Sequence, residues 1–139
     1  MPTNNNQIIQ NVNYRTLTAS LANDLVYRRA FGPIRYMNKE LLAADIMVDL
    51  NDFIHNDGTR IFYSYINMVR MEDRNDYLKQ CVKPLQIMIG GRLCILFNNY
   101  FGQDDGLFDM TATENYKSIQ WDLVEFMIDF INLCAHTPY

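Results

Sequence analysis

The sequence has few of the residues from which metal centres, disulfide frameworks and catalytic sites are built. Among its 139 residues are two histidines and three cysteines, and none of them forms a Cys-x-x-Cys, His-x-x-x-His or mixed Cys–His spacing. Zinc sites and disulfide-rich domains are recognised by such spacings, so we predict neither. Three scattered cysteines among apolar neighbours instead indicate buried free thiols in a reducing compartment.

Motifs of catalysis and nucleotide binding are missing as well. The chain has no G-x-S-x-G, no P-loop and no dinucleotide fingerprint, and Gly90-Gly91 fits none of these patterns. Residues 49–58 differ from a calcium loop, because aligning Gly58 with the glycine of that loop puts Phe53 at the first ligand position. We therefore predict that the protein is not an enzyme and holds no metal and no cofactor.

Long apolar runs and excess positive charge are also lacking. No run of about 18 apolar residues is present, so the sequence predicts no membrane span. Residues 1–10 are polar and rich in asparagine, unlike a secretory signal. The net charge of −4 argues against binding to nucleic acid through phosphate contacts.

What the chain does contain is a large share of apolar and aromatic residues. They make up 49% of the sequence and include nine tyrosines, eight phenylalanines and eight methionines. This composition excludes a disordered chain, and the length fits one domain with a core of its own. We expect a flexible leader over residues 1–13 and one helical domain over residues 14–139.

The spacing of the apolar residues predicts an all-α fold of five or six helices. Gly32-Pro33 is the predicted end of the first helix, residues 102–109 are a predicted loop, and residues 111–114 fit a capping box. The β-branched and aromatic content of residues 59–70 also permits a strand, although the spacing favours a helix. The predicted helices cover residues 17–31, 39–55, 59–70, 76–82, 84–100 and 114–134.

Three features set the boundaries between the middle helices. Asp57-Gly58 is interpreted as a stop signal, and the charged residues 71–76 as a turn. Pro84 is expected in the first turn of the helix that follows.

The apolar segment 85–101 is the most informative part of the chain, because it contains Gly90, Gly91 and Arg92. Its apolar residues cover most sides of a helix, which is typical of a core helix. Two glycines inside a helix cost about 1 kcal/mol each relative to alanine, which suggests close approach of another backbone or of a ligand helix. An arginine there needs a carboxylate partner, within the chain or outside it.

The segment Gly91-Arg92-Leu93-Cys94-Ile95-Leu96-Phe97 resembles the first homology motif of the Bcl-2 family of apoptosis regulators. Gly91 and Arg92 match the glycine and arginine of that motif, and Phe97 matches an apolar position of the helix that follows. The apolar spacing from Tyr77 to Leu85 and the helix that contains Trp121 are similar to the neighbouring helices of the family.

The sequence also departs from the family. Ile89 and Gly90 stand where the motif has asparagine and tryptophan, and the second homology motif and the carboxy-terminal membrane anchor have no counterpart here. Such divergence is similar to that of family members encoded by large DNA viruses, fish iridoviruses among them.

The resemblance implies a single-domain Bcl-2-like bundle around a central apolar helix at about 84–100. It implies an anti-apoptotic viral protein that binds the BH3 helix of host pro-apoptotic proteins, such as Bim, in a hydrophobic groove. Arg92 would bind the aspartate of that helix, because its planar fork fits a carboxylate, and Gly91 would let the helix approach. The host cytoplasm, or peripheral attachment to mitochondria, is the implied location. The implied partner-binding residues are Arg92, Gly91, Phe53, Phe62, Tyr65, Val69, Leu78, Val82 and Phe97.

Other interpretations remain open at the level of sequence. Arg92 could pair with a carboxylate of the chain itself and serve only the fold, and each groove candidate could be a core residue. An exposed apolar groove would also favour a homodimer. The alternative functions are a helical viral structural protein that self-assembles, and a Bcl-2-fold modulator of innate signalling that has no peptide groove.

Overall fold

A computed structural model describes residues 12–28, 39–101 and 114–136, and within them the side chains of residues 12–27, 39–92 and 119–136. These ranges form four α-helices and contain no strand, which confirms the prediction of an all-α bundle. The helices are α1 (Arg15–Asn23), α2 (Lys39–Ile66), α3 (Met71–Phe101) and α4 (Glu114–His136). A π-helical turn, Asp24–Arg28, continues α1 directly.

Helix α2 runs without interruption through Asp57-Gly58, so the predicted stop at this position, and the separate helix or strand over residues 59–70, are wrong. The reason is that Gly58 lies on the buried side of α2 and is followed by further core residues. Burying each large apolar side chain contributes about 1.5–3 kcal/mol, which outweighs the cost of about 1 kcal/mol for one glycine in a helix. The buried row consists of Leu42, Ile46, Leu50, Ile54, Gly58, Ile61 and Tyr65.

The predicted turn over residues 71–76 is also wrong, because α3 begins at Met71. Glu72 and Asp73 lie in its first turn, where negative charge is favourable next to the positive end of the helix dipole. The connection is residues 67–70. Arg74 donates from Nε to the carbonyl oxygen of Met68 in this connection at 2.8 Å, and from a terminal nitrogen to the carbonyl oxygen of Ile66, the last residue of α2, at 3.4 Å.

Pro84 lies inside α3 and not at the start of a separate helix. Proline has no N–H, so the carbonyl group of Gln80 loses its helical donor. Both Pro84 and Gln80 are exposed, and water can supply the missing hydrogen bond on this side. The opposite side of α3 remains apolar across the proline and buries Leu78, Val82, Leu85 and Ile89.

The four helices are arranged in a ring, in which α1 contacts α2, α2 contacts α3, α3 contacts α4, and α4 contacts α1. Helices α2 and α3 form an antiparallel hairpin, because Arg60 of α2 contacts Tyr77 of α3 whereas the earlier Asp49 contacts the later Arg92. The largest fully buried side chains in the core between the helices are Phe130, Leu25, Ile46, Leu50, Ile54, Ile61, Leu78, Ile89 and Ile119.

Some of the remaining predictions concern residues that the structure describes, and others concern residues that it does not describe. The last helix is confirmed, since α4 covers the predicted 114–134 and ends at His136. Val12, at the end of the predicted leader, is buried in the core. The predicted helix end at Gly32-Pro33, the loop 102–109, residues 111–113 of the capping box and the side chain of Phe97 lie outside what the structure describes. In the described ranges, no helix has the length and apolarity required to cross a bilayer.

Candidate partner-binding site

The candidate site lies on the outer side of α3, where Gly91 and Arg92 are both exposed. Apart from the neighbouring residues and the backbone of its own helix, no atom in the described part of the chain lies within 4 Å of a Cβ atom added to Gly91, so the space in front of this glycine is open there. Ile87, one helical turn earlier, is an aliphatic side chain with 63% of its surface exposed. The prediction that this segment is buried on most sides is therefore wrong for residues 85–92, which bury one side only.

Arg92 is bound by a carboxylate of the chain itself. Its Nε lies 2.9 Å from Oδ2 of Asp49 on the neighbouring helix α2. The hydrogen bond with Asp49, followed by the charge of that carboxylate, raises the pKa of Arg92, and Asp45 contributes a smaller effect in the same direction. The terminal nitrogens of the guanidinium take no part in this bond.

The ion pair is at the surface, where such pairs are weak. The side chain of Arg92 is 42% exposed and that of Asp49 is 22% exposed. Exposed ion pairs contribute only about 0.2–1 kcal/mol, because water screens the attraction and two long side chains lose freedom. The pair therefore holds Arg92 in a defined position and can be exchanged for another carboxylate at little cost.

The sequence could not identify Asp49 as the partner of Arg92. Its contact depends on α2 and α3 being two long antiparallel helices with a short connection, and the sequence predicted three helix boundaries between these residues. The acidic row Asp45, Asp49 and Asp52 is the signal that was present, since its spacing puts all three residues on one side of a helix.

Most of the predicted groove residues lie in the core and not at a surface. Phe62, Tyr65, Leu78 and Val82 are buried between the helices, because they belong to the inward-facing rows of α2 and α3. Phe53 is partly buried and packs against the same core.

Val69 is 93% exposed, but it lies in the connection between α2 and α3. This is about 25 Å from Asp49 along α2, so the structure does not bring Val69 together with Arg92.

A second polar cluster lies nearer the connection of the hairpin. Arg60 contacts Asp57 at 3.2 Å and also Tyr77 at 3.4 Å. Burial raises the pKa of Tyr77, and burial also raises the pKa of the neighbouring Cys81. A raised thiol pKa disfavours the reactive thiolate, so these groups act as structural hydrogen-bonding partners. No group of three or more histidine, cysteine and acidic side chains within the described part of the chain could hold a metal ion.

Comparisons with known protein families, characterised proteins and solved structures give no match to this chain.

Proposed function

We propose that this protein binds an amphipathic BH3 helix of a pro-apoptotic protein at the exposed surface around Arg92, and that it inhibits apoptosis by sequestering its ligand. The proposal follows the resemblance of the segment around Gly91-Arg92 to the first homology motif of Bcl-2 regulators. The observation that carries it is the exposed arginine on α3, next to a glycine with open space in front of it. An arginine beside an exposed glycine on a helix can bind a ligand helix that carries a carboxylate, because the glycine lets the two helices approach closely.

Two further features of this surface support the proposal. The guanidinium is fixed by Asp49 in a position where it can exchange partners, because the pair is exposed. Ile87 adds exposed apolar area next to Gly91, as an amphipathic ligand requires. The ligand surface of this proposal consists of the outer side of α3 and the adjacent side of α2, and it does not require the buried Phe62, Tyr65, Leu78 or Val82.

The experiment is a calorimetric titration of the protein with a panel of BH3 peptides, the Bim peptide among them. We expect sub-micromolar binding of at least one peptide. Arg92→Ala should weaken it by about 1 kcal/mol, roughly five-fold in Kd, because the contact lies at an exposed rim and not in a desolvated pocket.

Arg60→Ala is the matched control. Arg60 is also an exposed arginine on the same hairpin with an aspartate partner, and its loss should leave the affinity unchanged. Failure of every peptide in the panel to bind would rule out the proposed function. Equal affinities of wild type and Arg92→Ala would remove only the role of Arg92.

A second candidate, a structural protein that self-assembles, is favoured by the tip of the hairpin. Ile66, Val69 and Met71 are exposed there within six consecutive residues. Sedimentation velocity tests this candidate. A structural protein would form large assemblies that Val69→Asp disperses. A BH3-binding protein would give the same small species with valine or aspartate at position 69.

A further inference from the structure

The carboxylate that holds Arg92 in the free protein has a consequence for the choice of ligand. Asp49 accepts a hydrogen bond from Nε of Arg92, and it lies on α2, which borders the proposed ligand surface. A ligand carboxylate that binds Arg92 side-on, with two parallel hydrogen bonds from Nε and one terminal nitrogen, competes with Asp49 for Nε.

We propose that Asp49 is a specificity-determining residue, which a ligand displaces from Arg92 and which then binds a basic residue of that ligand. The proposal rests on the proposed function of the same surface. The preferred partner is accordingly an amphipathic helix with an acidic residue and, one helical turn away, a lysine or arginine.

Ligand binding at this surface exchanges one set of ion pairs for another. A ligand that offers only a carboxylate breaks the Asp49–Arg92 pair and leaves Asp49 without its cation. A ligand that offers an acid and a base one turn apart replaces one intramolecular pair by two intermolecular pairs. Asp45 and Asp52 lie on the same side of α2, and both are exposed, so they add to the negative potential that a basic ligand residue meets.

The test uses one BH3 peptide with two variable positions, four residues apart. The first form has aspartate and lysine at these positions, the second has aspartate and alanine, and the third has alanine and lysine. Each form is titrated against wild type, Asp49→Asn and Asp52→Asn. In wild type, the lysine should strengthen binding by up to about five-fold, the range that an exposed ion pair supplies. In Asp49→Asn, the benefit of the lysine should disappear, and the aspartate–alanine peptide should bind more tightly than it binds wild type.

Asp52→Asn is the matched control, because it removes the same charge from the same side of α2 without touching Arg92. Asp52 contributes only to the general negative potential, so Asp52→Asn should keep most of the benefit of the lysine. Equal behaviour of the two variants would overturn the proposal, since it would reduce the effect to net charge. Binding by wild type that ignores the lysine would also overturn it, while the proposed function would stand.

Two other outcomes are decisive. Binding of the aspartate–alanine peptide by Asp49→Asn but not by wild type would support the proposal, because it would mean that Asp49 blocks the arginine. No binding by any variant would overturn both this proposal and the proposed function. A measurement without peptide completes the set: the Nε–H signal of Arg92 should exchange with water more slowly in wild type than in Asp49→Asn, and equal exchange would overturn the proposal.

Discussion

Individual polar side chains connect the helices of this protein at defined points. Thr18 of α1 is completely buried, and its hydroxyl lies 2.6 Å from Oδ1 of Asn51 on α2 and 2.9 Å from the carbonyl oxygen of Arg15. A buried hydroxyl is tolerated only with such acceptors, because its desolvation is otherwise uncompensated. Thr18 therefore fixes where α1 meets α2, just as the Arg92–Asp49 pair links α2 to α3.

Replacing Thr18 with valine keeps the shape of the side chain and removes the donor. We expect Thr18→Val to lower the free energy of unfolding by about 1–2 kcal/mol, because the amide oxygen of Asn51 then loses a buried hydrogen bond. Urea denaturation measures the change. Thr16→Val, at an exposed position of the same helix, is the control and should cost much less; equal losses in the two variants would refute the role of the hydroxyl.

Cys134 makes the stability depend on pH in the alkaline range. Burial in the core raises the pKa of its thiol from the ordinary value of 9.0 to about 12. The unfolded chain therefore loses the thiol proton at a lower pH than the folded protein does, so rising pH favours unfolding. The stability that the buried, protonated thiol contributes is fully present below pH 9, and it is lost as the pH rises from 9 to about 12.

The comparison with Cys134→Val isolates this effect. The difference in unfolding free energy between wild type and Cys134→Val should be constant from pH 7 to 8.5 and should then fall by up to about 1.4 kcal/mol per pH unit. Urea denaturation at several pH values measures it. A difference that stays constant to pH 10.5 would mean that the folded protein ionises this thiol at an ordinary pKa.

At the scale of the helices, local sequence signals predicted some helix boundaries correctly and misplaced others. The spacing in α4 is uniform, and its prediction over 114–134 was confirmed. The signals at Asp57-Gly58 and Pro84 were overridden by packing, since the buried rows of α2 and α3 continue on both sides of them. A glycine or proline indicates only the local free-energy cost of continuing a helix. It does not indicate how much apolar surface the residues beyond it bury, and here that burial outweighs the cost.

The same limit applies to the candidate site. Gly91 and Arg92 could be selected from the sequence because two glycines and a cation interrupt an apolar segment. Asp49 could not be selected, because a contact between residues 49 and 92 depends on the hairpin. The aromatic candidates Phe62 and Tyr65 could not be assigned to a groove or to the core, since either use gives the same helical spacing.

Gly91 allows a prediction with two readouts that move in opposite directions. Gly91→Ala should raise the free energy of unfolding by about 0.5–1 kcal/mol, because alanine is the better helix former and its Cβ meets open space. The same variant should weaken BH3 peptide binding, because the new methyl group stands where the ligand helix approaches. Thermal unfolding and calorimetry measure the two effects.

Asn75→Ala, at an exposed position of α3 more than four helical turns before Gly91, is the control and should leave peptide binding unchanged. A more stable Gly91→Ala protein with undiminished affinity would show that no ligand helix passes over this glycine.

At the scale of the whole molecule, a ring of four helices encloses an apolar core and leaves polar contacts on its outside. The composition predicted the core, and the helical spacing predicted the fold class. The order of contacts around the ring results from packing between distant parts of the chain. In this arrangement α3 has an inner side that belongs to the core and an outer side that presents Ile87, Gly91 and Arg92. The proposed function uses that outer side together with the adjacent side of α2.

The most direct test of this account is a nuclear magnetic resonance titration of the isotopically labelled protein with the Bim BH3 peptide. The largest chemical-shift changes are expected at the amide of Gly91, at Nε–H of Arg92, and at the amides of Asp49 and Ile87. Ser20 on α1 and Glu125 on α4, which lie together on another side of the ring, should not change. An absence of shifts at saturating peptide, or shifts confined to α1 and α4, would contradict the assignment of this surface as the site of helix binding.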